Sequence, residues 1–297
     1  MKSLFRLILV AVFLSTTLLV AVFLSTTLPV VSATENEKHL LRYCFQKGDT
    51  LEWNVRQTLR VTTSLKGKTE TIETSSRSTK IWTVLDVSDD DVATFEYKVG
   101  AVKMQQSQTD KKDEKYDSNV DKEIPEAFIT LEETVGVPLA ELSIDALGEM
   151  KRKQALRKYA GASEENRIAI PLPKDPIAVG ERWDIETPIE IQLHEGTVKK
   201  IAAGQRFTLD SVRNDVATIS FRTIIRTPIN DPKIESQIID KDPSGSLKLD
   251  LKTGRLISQQ TEVNKHVIDF QGRGSWIHHH ARLTECCCGL KSCEICQ

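Results

Sequence analysis

Past residue 33 the chain has no apolar run approaching the roughly 20 residues a membrane-spanning helix needs, so the body is expected to be soluble. It also lacks an excess of basic charge: 40 Lys and Arg stand against 42 Asp and Glu, for a formal net charge of −2. Nucleic-acid binders usually carry a basic field, and nucleic acid is therefore excluded as a partner. Charged residues of both signs make up 28% of the chain, which suits a solvated surface rather than steering of a charged partner. Cysteine is almost missing from the body. Cys44 stands alone there, while Cys286, Cys287, Cys288, Cys293 and Cys296 crowd the end of the chain. A disulfide-stapled domain spreads its cysteines, so this fold must stand on a hydrophobic core. Catalytic signatures are missing too. There is no G-x-S-x-G elbow, H-E-x-x-H, phosphate loop or G-x-G-x-x-G after a strand. Carboxylates are plentiful but alternate onto polar faces, which pairs them poorly for acid–base work. A non-catalytic protein without a cofactor is the expectation.

Residues 1–33 have the layout of a signal peptide. Lys2 and Arg6 form a charged start, an apolar stretch runs from Leu7 to Val31, and Val31-Ser32-Ala33 places small residues for cleavage after Ala33. The decapeptide at Leu9–Leu18 is repeated unchanged at Leu19–Leu28, which lengthens the apolar stretch to bilayer-spanning size. Two outcomes stay open: an exported protein (periplasmic or extracellular), or one held to the membrane by residues 1–33. Cys44 follows no lipobox, so lipid attachment there is not expected.

The rest is dominated by two-residue alternation. Leu51, Trp53, Val55, Leu59, Val61 and Leu65 fall on one side of an extended chain, and Glu52, Asn54, Arg56, Thr58 and Arg60 on the other. That is the mark of a long half-buried strand. Lys66-Gly67 supplies a turn, and similar alternation recurs at Phe95–Ala101, Ile189–Leu193 and Leu247–Leu251. The predicted class is mainly β, antiparallel, with little helix. The chain also echoes itself. Gly48–Trp53 is matched by Gly180–Trp183, Trp82–Val87 by Phe207–Val212, and Asp91–Phe95 by Asp215–Ile219. Leu65-Lys66-Gly67 and His194-Glu195-Gly196 stand as corresponding turns. Anchors kept in order predict two related β-lobes, residues 34–155 and 173–285, forming two domains or one curved sheet. A linker is predicted at 156–172, overlapping a basic, partly helical connector at Met150–Arg167, and a Cys-rich tail at 286–297. A short helix is placed in Ile124–Val135, with Pro125 in its first turn.

Three clusters invite chemistry. Asp89-Asp90-Asp91 near Asp86 resembles a calcium loop, but its counterpart Arg213-Asn214-Asp215 keeps only the turn chemistry, so a hairpin turn is preferred. His278 and His280 share one face of a strand with His279 opposite, and the pair makes half of a zinc or copper site. The remaining ligands would be Glu285 or the cysteines that follow; the alternative is a polar edge. Cys293 and Cys296 form a C-x-x-C pair that, with two of the preceding triplet, could wrap a soft metal. Disulfides among these cysteines or to Cys44 are the alternative, and an incidental tail is preferred. Trp53 and Trp183 are read as a matched pair of core residues.

With Gly48–Trp53, Trp82–Val99, Val135–Met150, Gly204–Phe221 and Leu249–Gln260 in view, residues 39–285 resemble a family of exported β-rich proteins from planctomycete-type bacteria. That family has no assigned activity, so the resemblance implies no site residues. The doubled leader and the Cys-rich tail depart from its pattern. The functional expectation is an exported, non-catalytic envelope protein that binds a lipid-like or other apolar small molecule, with a structural or protein-interaction module as the alternative. Its partners would be that small molecule or another envelope protein.

Overall fold

Alternation over Thr50–Leu65 becomes a single 16-residue strand, β2, and the Lys66-Gly67 turn returns the chain as β3, Lys68–Val87. Lys66 and Gly67 both take positive φ, as a two-residue hairpin turn between twisted strands demands. The computed structural model describes residues 37–131, 134–157, 168–193 and 197–288. The predicted leader and Ala33 lie outside the described residues, as do His194-Glu195-Gly196 and the tail from residue 289. Among the described residues, no helix is long and apolar enough to cross a membrane.

The two-residue strand β1 (Lys38–His39) precedes this hairpin, and the order continues with β4 (Ala93–Gln108), β5 (Glu114–Asp117), a 3₁₀ turn (Glu126–Leu131), β6 (Pro138–Ile144) and β7 (Met150–Ala155). Then come β8 (Ile177–Ala178), β9 (Arg182–Glu186), β10 (Ile189–Gln192), β11 (Val198–Ile201), β12 (Ala203–Arg213) and β13 (Val216–Ile225). The short helix α1 (Pro232–Gln237) and a 3₁₀ turn (Ile239–Lys241) precede β14 (Ser244–Asp250), β15 (Arg255–Ile268) and β16 (Trp276–Cys287). Twelve strands form one antiparallel sheet in the order β7-β6-β4-β3-β2-β16-β15-β14-β13-β12-β9, with β5 beside β4. The mainly-β expectation holds. The sheet is continuous, because β16 pairs with β15 on one side and β2 on the other.

This sheet curls. Consecutive residues Tyr43 and Cys44 donate backbone hydrogen bonds to Ala146 (2.9 Å) and Gly254 (3.1 Å), in the turns after β6 and β14. Those strands stand six positions apart, about 29 Å in a flat sheet at ~4.8 Å per strand. Inside the curl, Leu41, Tyr43, Ile168, Ile170 and Leu172 pack against Trp53, Trp82, Phe95, Phe207, Ile219 and Leu249. Gly148 fits only as glycine, since a Cβ there would stand 2.4 Å from the Ile170 carbonyl.

Several sequence expectations need correction. Residues 168–172 are core and not linker: Ile168, Ala169, Ile170 and Leu172 are all buried. The basic run from Met150 is the exposed edge strand β7, not a partly helical connector. Its charges serve as edge protection, and only pairing with β6 reveals the strand. The tail does not begin at Cys286. Cys286 and Cys287 finish β16 and are buried, because cysteine packs as a small hydrophobe. Finally, Trp53 and Trp183 are not counterparts. Gly48 N donates to Val84 O and Val84 N to Asp49 O; Gly180 N donates to Leu209 O and Leu209 N to Glu181 O. Counted from these glycines, Trp183 stands where Leu51 does, each opposite an aromatic residue, Phe207 and Trp82 respectively.

Candidate functional site

The site grows out of a strand that is too short for its neighbours. Ser244, the first residue of β14, pairs with Arg222 and Glu262, yet β13 runs on to Ile225 and β15 to Ile268. Beyond that point α1 and the Ile239–Lys241 turn occupy the space a strand would have filled. Asp231 caps α1 by accepting from Lys233 N (2.9 Å), and Pro232 opens the helix. Ile234 and Ile238 pack with Ile189, Ile191 and Ile201 of the β10–β11 hairpin, while Ile239 packs with Val267 and Phe270. That hairpin has left the main sheet after Pro188, which has no N–H to continue the ladder.

What remains unfilled is a cleft of about 370 Å³. Ile225, Pro228, Ile229, Ile238, Ile239 and Val267 give it an apolar wall; Thr223, Thr227, Glu235, Asp242 and Lys265 give it a polar one. Lys265 Nζ meets the Asp242 carboxylate at 2.5 Å, and Thr223 donates to Pro243 O at 3.0 Å from both N and Oγ1. Opposite Lys265 in the ladder stands His279. Burial pushes its imidazole below the ordinary range, the Asp240 carboxylate opposes this, and His278 and His280 add to it. Its Nδ1 is enclosed without a hydrogen-bond partner. Such a lining suits a small molecule with an apolar body and one polar end.

Elsewhere the strand parity of the histidines holds, with His278 and His280 on the face opposite His279. His278 Nε2 lies 2.9 Å from Asn264 Oδ1, and His280 Nε2 lies 3.0 Å from Glu262 Oε1. These partners are cross-strand neighbours on β15. Among the described residues, no group of three His, Cys, Asp or Glu is placed to hold a metal. Cys293 and Cys296 lie outside the described residues. Cys286 is disulfide-bonded, and Cys44 is an exposed free thiol. The Asp89–Asp91 run is a turn, with Asp91 N donating to Ser88 O and Asp91 at φ 57°. Trp53 is buried, and Trp183 stacks on Phe207 at 5.3 Å. The Lys80–Glu285 ion pair sits buried on the inner face, where its desolvation cost offsets much of its attraction. None of the cleft residues is singled out by the sequence analysis. The readable signal was Asp231-Pro232 followed by Ile234 and Ile238, a capped helix start with an apolar i, i+4 pair.

No protein-family model matches the chain, and no curated protein matches it. Among solved structures it resembles lipovitellin, in a structure of lipid–protein interactions, with a TM-score of 0.46 and 11% identity. That alignment covers 82% of this chain, which spans only 25% of the lipovitellin chain. It also resembles DynF from the dynemicin biosynthesis pathway of Micromonospora chersina, with a TM-score of 0.20 and 7% identity over 85% of this chain and 89% of that one.

Proposed function

We propose that this is an exported, non-catalytic binding protein whose cleft between β13 and β15 takes a small amphiphilic ligand. The cleft itself carries the proposal: about 370 Å³ with one apolar wall and a polar wall headed by Lys265 and Asp242, within the range of small-molecule sites. Inside the curl, by contrast, Leu41, Tyr43, Ile168, Ile170 and Leu172 of the chain itself pack against the apolar faces of the strands. Export rests on the charged start, apolar run and Val31-Ser32-Ala33 of the leader. Two tandem lobes belong to the same proposal. They are supported by matched bulges, at Val84/Asp86 and Leu209/Ser211, and again at Ser143/Ile144 and Lys248/Leu249.

The test is native mass spectrometry of the full chain secreted from its host, followed by organic extraction, for the wild type and Ile229→Trp. A stoichiometric amphiphile in the wild type, lost when the indole fills the cleft at unchanged melting temperature, is the expected result. A bare wild-type mass would discard the binding role and favour a protein-interaction module.

A further inference from the structure

We propose that the sheet carries a second, independent site on its other face, for the dianionic phosphate group, where Arg56, Arg77 and Lys103 stand abreast. In the ladders Arg56 lies directly opposite Arg77, and Arg77 directly opposite Lys103. At ~4.8 Å per strand, the three side chains start within about 10 Å of one another. They open into a groove of about 300 Å³ shared with Asn54, Thr79 and Thr284.

Like charges directly opposed weaken a ladder, so such a row needs a reason. Solvation alone does not give one. Four residues along the same pair of strands, Arg60 faces Glu73 and bridges to it at 3.2 Å. Edge protection does not give one either: it accounts for the basic run on β7, at the rim, whereas β2 and β3 lie well inside the sheet. Lys103 meets Asp117 at 3.3 Å, but among the described residues Arg56 and Arg77 meet no carboxylate and no hydrogen-bond acceptor. Three cations against the one carboxylate in the groove leave a surplus of two positive charges. That surplus matches a phosphate dianion, whose oxygens suit the planar guanidinium fork. The hydroxyls of Thr79 and Thr284 and the amide of Asn54 add neutral donors at the rim. Free phosphate and a phosphate monoester share this chemistry.

The groove is on the His280 face, because Arg60 pairs with His280 and Arg56 with Thr284; the cleft is on the His279 face with Lys265. The two sites therefore stand or fall separately. Calorimetric titration of the full-length protein at pH 7.5 decides the matter, with inorganic phosphate in one arm and glycerol 3-phosphate in the other, each against sodium chloride of equal ionic strength. Saturable binding is expected in at least one arm, tighter for the ester if an ester is the natural source. Arg77→Gln and Arg56→Gln should each weaken it about tenfold or more. Both residues are exposed, and without ligand neither variant should melt below the wild type, since each relieves repulsion. Heat that chloride reproduces, or binding unchanged in both variants, would overturn the site.

Discussion

At the scale of single residues, the inner face is set by a few polar groups enclosed where the alternation alone would place apolar ones. His279 is the one with a measurable signature. Lys265 faces it from β15, Val61 from β2 and Asp240 from the turn before β14, with His278 and His280 beside it in sequence. Burial holds its pKa below 6.5. A depressed histidine favours the neutral form in the folded state, so its contribution to stability is present above the unfolded value of 6.5. It is lost as pH falls below that value toward the folded one, because the unfolded chain takes up a proton that the folded chain resists. Urea unfolding between pH 5 and pH 8 should therefore show a fall on acidification that is shallower in His279→Leu. Identical slopes in the two proteins would remove His279 from the account.

At the scale of elements, strand ends decide more than strand centres. Period-two patterning made β2, β4 and β14 legible, because half-buried strands must alternate. It could not mark β7, whose six residues are all exposed and which is a strand only by virtue of pairing with β6. Nor could it mark the end of β16. Cys287 pairs with Trp53, and Cys288 N donates to Glu52 O at 2.7 Å, so the strand closes over the start of β2. Truncation before Cys286 should lower stability by about 2–4 kcal/mol through lost burial and exposed partners. Denaturant melts of that truncation beside the full chain would check this, and coincident curves would return these cysteines to a dispensable tail. The cleft belongs to this scale as well. It exists because β14 starts late between two longer strands, a relation among three segments that no one of them encodes.

At the scale of the whole molecule, one core joins both halves of the sheet. Trp53, Phe95 and Ile144 share it with Phe207, Leu249 and Leu256. Calorimetry should accordingly show a single unfolding transition with matching calorimetric and van't Hoff enthalpies. A fragment ending at residue 157 should stay unfolded, lacking β16 and half of that core; two separable transitions would argue for independent lobes. The amino-acid sequence by itself determined the strand class, the parity of β2, β4 and β14 and the Lys66-Gly67 turn, since these follow from sterics and from which side of an extended chain is apolar. Only the tertiary structure decided that twelve strands form one sheet, that β16 joins its halves, that residues 168–172 pack inside the curl, and that Arg56, Arg77 and Lys103 line up. The physical reason is common to all four: each depends on which strands become neighbours. That choice is made by the summed burial of distant segments, at separations over which local pattern carries no information.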